Sequence, residues 1–368
     1  MLLILLVSLA ILAIVVFLIF RLPGFGAAPS GARLERIRHS PQFRGGRFVN
    51  ATETTVMAKG VSGFSMLAYW LKKHPRTSPS VVLPAVVSRL AKGPRGADQV
   101  TWFGHSSYLL QTGDKTFLVD PVFSPHASFV SFAGPAPYPA AHVWTPADLP
   151  PVDFLVTTHD HFDHLDFPTI KAVQGRVGRF IAPLGVGAHL EAWGVPPEKI
   201  IELDWWERAE LGGGLAIVAT PARHFSGRTL ARGKTLWASF ALLAPARRFY
   251  LGGDSGYGEH YKEIGAKYGP FDLAMLECGQ YDAYWPNIHT MPEENARAGR
   301  ELGAKWILPV HWAKFTLGTH PWDDPVECLT REAARLGQGV TTPRIGETVD
   351  LGGPMPTGAW WRGLEPGR

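Results

Sequence analysis

The segment Thr157-Thr158-His159-Asp160-His161-Phe162-Asp163-His164-Leu165-Asp166 constrains this chain most, because His159, His161, Asp163 and His164 crowd directly behind an apolar run. Phe154 to Thr158 is apolar and β-branched, which predicts a buried strand with the His and Asp side chains on the loop at its carboxyl end. Such loops, carried by a rigid scaffold, are where sites sit. Neutral imidazole and carboxylate are the ligands that hold zinc while leaving a position for water. The segment contains no cysteine, so a closed thiolate site is out. A merely solvated His/Asp loop is the bland alternative, and three clustered imidazoles argue against it.

Three later residues are placed in the same way. His224 follows the strand-like run Leu215 to Pro221, Asp254 follows Phe249 to Gly253, and His311 follows Trp306 to Val310. Taken singly, His224 is an ordinary loop residue, Asp254 a turn residue bonding its own backbone, and His311 a core histidine. Together they share one property: each closes an apolar strand, which lets the side chains converge.

With these residues in view the chain resembles the metallo-β-lactamase-fold hydrolases, whose defining string H-x-H-x-D-H is here His159, His161, Asp163 and His164. The resemblance implies an α/β fold, the αββα sandwich, and two metal ions. By that likeness His159, His161 and His224 bind one ion, Asp163, His164 and His311 bind the other, and Asp254 bridges both. Redox members resembling flavodiiron proteins carry Glu where this chain has His161, so two Zn2+ are expected, with Mn2+ or Fe2+ left open. Paired metals can clamp the oxygens of an in-line displacement and lower the pKa of a water from about 15.7 toward roughly 7, which predicts hydrolysis of a phosphoester or an acyl group.

A closer resemblance rests on His159 to Asp166, on Gly253-Asp254-Ser255-Gly256-Tyr257, on His289-Thr290-Met291-Pro292-Glu293-Glu294 and on His311-Trp312-Ala313-Lys314-Phe315. These segments look like the N-acylphosphatidylethanolamine-hydrolysing phospholipase D family and its bacterial relatives. The likeness implies a phosphodiesterase in which metal-bound hydroxide attacks phosphorus and phosphatidic acid is released. It makes Asp163, Asp254 and His289 the catalytic candidates, His289 through phosphate or head-group contact. The competing account of His289 is a capping box in which Thr290 caps a helix and Glu293 bonds back. His105 and Asp120 are candidates to orient the ligands from behind. A lactonase or other ester hydrolase acting on a soluble substrate stays open, as does a non-catalytic membrane protein with a vestigial metal site.

Outside the site, Met1 to Phe20 carries no charged side chain and is long enough to be read as a transmembrane helix. No Lys or Arg precedes it, as a signal peptide would require. Arg21, Arg33, Arg36, Arg38, Arg44 and Arg47 follow, and the positive-inside tendency places the bulk of the chain on the cytoplasmic face of the inner membrane. The expected organisation is an anchor over 1–21, an extension over 22–98 and a catalytic domain over 99–355, with a phospholipid substrate and a membrane as partners. The net charge of +4 owes much to those arginines, and no nucleic-acid footprint is expected. Cys278 and Cys328 form no disulfide framework.

Local expectations complete the reading. Gly113-Asp114 should turn a hairpin. Helices are expected from Gly63 to Lys73 and from Ala85 to Lys92. The aromatic loop from Phe123 to Tyr138 is long enough for a lid, and with Tyr281, Tyr284 and Trp285 it could line an acyl-chain groove.

Overall fold

The run Val152–Val156 shows how the layers arise. Phe154 and Val156 enter the core between two sheets, while Leu155 points into a second cluster with Phe180, Ile170, Val173 and Leu190 on the sheet's other face. A strand covered on both faces reads as nearly continuous hydrophobic sequence, as this one does.

The computed structural model describes residues 2–62, 65–66, 68, 71, 74–87, 90 and 97–364. A small hairpin joins β1 (Phe43–Arg44) to β2 (Arg47–Phe48). The first large sheet holds β3 (Gln99–Trp102), β4 (Tyr108–Thr112), β5 (Lys115–Val119), β6 (Val152–Val156), β7 (Val177–Pro183) and β8 (Ile200–Leu203). The second holds β9 (Arg208–Gly212), β10 (Leu215–Thr220), β11 (Ser239–Leu243), β12 (Arg248–Leu251), β13 (Leu273–Glu277), β14 (Trp306–Val310) and β15 (Gly339–Val340). The last strand, β16 (Thr348–Asp350), returns to the first sheet beside β3. Each sheet thus has seven strands, parallel from β5 to β8 in one and from β12 to β15 in the other.

Helices cover the outer faces. Phe167–Val173 and Gly187–Ala192 pack on the first sheet; Tyr261, Ile264, Ala296, Val326 and Leu329 from His260–Tyr268, Pro292–Glu301 and Asp324–Leu336 join the core at the second. This is the α/β sandwich expected of the chain. The hairpin turn is as expected too: Gly113 and Asp114 both have positive φ, +54° and +62°, which the two-residue type I′ turn demands.

Other expectations change. Leu2–Ile19 is an 18-residue helix with Leu5, Ile11 and Leu18 exposed, but among the described residues no helix is long and apolar enough to cross a membrane. At 1.5 Å per residue its length is about 27 Å, short of the roughly 30 Å of a hydrocarbon core. The helices expected at 63–73 and 85–92 fall largely outside the described residues. Within the second, Ala85 forms an isolated bridge with Ile345 instead.

Lys314 is an unexpected part of the core. It is buried, its Nζ donating to the carbonyls of Val122 at 2.8 Å and Phe103 at 3.4 Å, between the rings of Phe123 and Phe315. Burial pushes its pKa from 10.5 down to about 7. An unfolded lysine titrates near pH 10.4, so above the folded pKa the unfolded chain binds the extra proton and stability rises with pH across that window. Urea unfolding at about pH 7 and about pH 9.5 is expected to show this gain in the wild type and to lose it in Lys314→Met. Equal gains in both proteins would rule out Lys314 as its source.

Candidate metal centre

The loop after β6 is shaped by its own backbone. The carbonyl of His161 accepts from the N–H of His164 at 3.1 Å and of Leu165 at 2.8 Å, a tight turn that aims His159, His161, Asp163 and His164 at one place. Asp160 points the other way, accepting from the N–H of Gly227 at 2.7 Å and the hydroxyl of Thr235 at 2.8 Å. It ties the loop down from behind.

His224, Asp254 and His311 arrive after β10, β12 and β14 and meet this loop. Two four-residue groups form, with Asp254, His289 and His311 as a smaller third, each with its ligand atoms within 4.8 Å of one another: His159, His161, His224 and Asp254 in one, His105, Asp163, His164 and His311 in the other. Asp254 lies between the two larger groups. Its Oδ1 is 3.2 Å from His164 Nε2 and 3.1 Å from His311 Nδ1, and its Oδ2 is 3.8 Å from His159 Nε2 and 3.7 Å from His224 Nε2. His159 Nε2 and His161 Nδ1 face each other at 3.0 Å. His164 Nε2 and Asp254 Oδ1 are buried with no hydrogen-bond partner. Convergent imidazole nitrogens and carboxylate oxygens, some unsatisfied, fit a pair of borderline-soft divalent cations.

The outward atoms of these ligands are taken. His164 Nδ1 donates to Asp120 Oδ2 at 2.8 Å, and Asp120 also accepts from the N–H of Thr158 at 2.8 Å and its hydroxyl at 2.6 Å. His224 Nδ1 donates to the carbonyl of Ile288 at 2.8 Å. Such bonds choose the tautomer that leaves the inward nitrogen free to ligate. Asp120 therefore sits where the sequence placed it. His105 holds Asp163 from its side, with Nε2 2.9 Å from Asp163 Oδ2, and its ring also falls within the second group. His105, Asp120 and His311 all have positive φ, +51°, +40° and +68°. For non-glycine residues this costs about 1–3 kcal/mol each, and it persists where surrounding contacts over-determine the geometry.

Charge follows from the same packing. Burial drives His159, His161, His224 and His311 below their ordinary pKa, toward the neutral form that ligates. His164 behaves oppositely: burial lowers it, but Asp254, Asp163 and Asp120 outweigh burial and hold it well above the usual value. Asp163 and Asp254 are raised by burial and brought well below the carboxylate range by the surrounding histidines, His164 foremost.

Sequence reading missed Glu277, which closes β13 as the other site residues close theirs. Buried, its Oε1 accepts from His289 Nδ1 at 3.1 Å and from the N–H groups of Thr290 at 3.1 Å and Ser255 at 3.2 Å. The acidic end of Leu273-Ala274-Met275-Leu276-Glu277 was the available signal. The expected capping box is displaced by one residue. The helix begins at Pro292, the N–H of Met291 bonds Glu294 at 3.1 Å, and the Thr290 hydroxyl donates to the Glu277 carbonyl at 3.2 Å.

Beside the two groups lies a cavity of about 340 Å³, into which His161, Asp163, His224, Asp254, His289 and His311 project. Its apolar wall is Val56, Met57, Met66, Trp285, Ile288 and Leu317. The aromatic loop does not line it: Phe123 packs on Phe103, Phe129 stacks on Phe25, and the Tyr138 hydroxyl donates to the carbonyls of Thr77 and Phe315. Of the expected groove aromatics only Trp285 is part of the wall. Arg232 lies at its edge, its guanidinium 4.8 Å over the Phe225 ring and, among the described residues, in no ion pair.

Residues 115–312 match the family model of the beta-lactamase superfamily domain. An uncharacterised protein of Mycobacterium tuberculosis is 42% identical over 328 residues, 88% of each chain. The N-acyl-phosphatidylethanolamine-hydrolyzing phospholipase D 1 of Caenorhabditis elegans is 34% identical over 231 residues, 60% of this chain and 65% of that one. Among solved structures, Igni18, a metallo hydrolase from Ignicoccus hospitalis, superposes with a TM-score of 0.53 at 22% identity, covering 69% of this chain and 97% of that one.

Proposed function

Because the chain belongs to the beta-lactamase superfamily and is a metal-dependent hydrolase of the metallo-β-lactamase fold, we propose that its substrate is a phospholipid of the N-acylphosphatidylethanolamine kind, cleaved as a phospholipase D would cleave it. The observation that carries this reading is the cavity itself, which sets two groups of metal-ligating side chains against a wall of Val56, Met57, Met66, Trp285, Ile288 and Leu317. A polar ester joined to an acyl chain matches both halves. The relative from Caenorhabditis elegans and the exposed apolar helix Leu2–Ile19 support a lipid over a soluble sugar acid.

In this reading His159, His161, His224 and Asp254 would hold one Zn2+, and Asp163, His164, His311 and Asp254 would hold the other. When bound, the two ions supply Lewis acidity that activates a water and neutralises charge on the phosphoryl group. The protein does the rest. Asp120 keeps the His164 proton on Nδ1, away from the ligating nitrogen. Glu277 bonds His289 Nδ1; burial lowers the His289 pKa but the Glu277 carboxylate outweighs it and raises it, so Nε2 can carry a proton toward the leaving oxygen. Arg232 meets the phosphodiester anion from the cavity's edge, and the apolar wall seats the acyl chain and excludes water.

Hydrolysis of N-acylphosphatidylethanolamine in mixed micelles by the zinc-loaded protein, beside a generic phosphodiester and a lactone, tests the reading. Phosphatidic acid and N-acylethanolamine should be the products by mass. Cleavage of the generic ester or the lactone alone would discard the lipid. In the same assay Arg232→Gln should raise KM for the anionic lipid roughly tenfold with little change in kcat, the worth of one charged hydrogen bond. An unchanged KM would remove Arg232 from the site.

A further inference from the structure

The segment that follows the exposed helix Leu2–Ile19 is docked on the back of the metal-ligand loop, and one buried guanidinium makes the joint. Arg228 Nε donates to the carbonyl of Gly24 at 2.9 Å, and its Nη1 donates to the carbonyls of Asp160 and Leu165, each at 2.7 Å. Those two carbonyls bracket His161, Asp163 and His164. The guanidinium is packed 4.2 Å over the Phe162 ring and 5.1 Å from the centre of the Trp193 ring. A second contact runs parallel: the N–H of Ala27 donates to His189 Nδ1 at 3.1 Å, and His189 Nε2 lies 3.4 Å from Asp160 Oδ2. Trp193 Nε1 donates to the carbonyl of Pro23 at 2.8 Å, and Phe25 stacks on Phe129 and meets the edge of Phe162.

The fit leaves no room for change in the segment. A Cβ on Gly24 would lie 2.4 Å from the Phe129 carbonyl oxygen. Gly26 has φ +69°, and a Cβ there would lie 2.1 Å from His189 Nδ1. Bare backbone is required at both positions because the chain presses against the Phe129 backbone at Gly24 and against His189, behind the metal-ligand loop, at Gly26.

We propose that Arg228 is a positioning residue of the metal centre and that the segment from Pro23 to Ala27 is the clamp through which it holds the loop bearing His159, His161, Asp163 and His164. This rests on the metal-centre reading above. Arg228 touches no ligand side chain; it fixes the two carbonyls between which the loop turns, and the clamp supplies the third carbonyl that fills its donors. Displacing the clamp should loosen the loop while the ligands on β10, β12 and β14 stay in place.

The test is the full-length chain loaded with Co2+, whose d–d spectrum reports ligand geometry without any turnover. Arg228→Gln and, separately, Gly24→Ala should shift that spectrum and release cobalt to a chelator about tenfold faster than the wild type, the size expected when support behind a ligand is lost. Hydrogen exchange should rise at 160–165 and stay at the wild-type level at 252–255 and 310–313. Gly24→Ala leaves every loop residue intact, so it carries the test if Arg228→Gln fails to fold. A Gly24→Ala protein with faster exchange at 23–27 but the wild-type spectrum and release rate overturns the inference. A wild-type chain that takes up no cobalt overturns the metal centre and this inference with it.

Discussion

Replacing Asp254 with alanine should reduce the metal content from two ions per chain to one or none and cut hydrolysis by at least about a thousandfold. One oxygen of this carboxylate faces His164 and His311 and the other faces His159 and His224, so a single substitution removes a donor from both groups. Metal activation is worth several kcal/mol of transition-state stabilisation, and about 4 kcal/mol corresponds to a factor near a thousand. The loss is compounded by charge. Asp254 is the strongest of the carboxylates that hold His164 well above its usual pKa, so its removal also takes one negative charge from a site built to hold cations. Elemental analysis after dialysis, with kcat on any cleaved ester, decides the matter. Full activity with two metals retained would end the role of Asp254 as the donor common to both groups.

Asp120→Asn should lower metal affinity or kcat by about 10–100-fold although Asp120 faces no metal position. The carboxylate accepts from His164 Nδ1, from the N–H of Thr158 and from its hydroxyl. An amide of the same shape keeps one acceptor and presents N–H groups on its other side. If the oxygen stays on Thr158, the amide nitrogen faces His164 Nδ1 and forces the imidazole proton onto Nε2, the nitrogen that must be bare to ligate. The substitution therefore tests tautomer control separately from space filling. Asp120→Ala, which leaves His164 free to choose, should retain more metal than Asp120→Asn; the reverse order would show that Asp120 acts through packing alone. A cobalt spectrum of each variant reads the result directly.

The chain's candidate ligands could be proposed from its sequence because metal chemistry restricts residue type and the strand before each one restricts placement. His159, His161, Asp163 and His164 share one loop, and His224, Asp254 and His311 each close an apolar run, so period and punctuation were enough to propose their convergence. The turn at Gly113-Asp114 was equally local, since positive φ at two successive positions selects such residues. The helix start at Pro292 was misplaced by one residue because Thr290 and Glu293 satisfy the capping pattern as written, while the buried Glu277, from another strand, claims Thr290 for itself.

What remained hidden consists of pairings between distant stretches. His105 meets Asp163 across 58 residues, Arg228 reaches Gly24 across 204, and Val56, Met57 and Met66 of the amino-terminal extension face Trp285 and Leu317 across the cavity. No periodicity encodes these contacts; they depend on how two sheets stack and on which loops the stacking brings together. The sequence by itself determined the candidate ligand set, the alternation of strand and loop that presents it, and the α/β class. Only the tertiary structure decided which residues stand behind those side chains, which apolar wall lines the cavity beside them, and that the segment from Pro23 to Ala27 docks behind the loop, because burial and long-range hydrogen bonding exist only once the layers have closed.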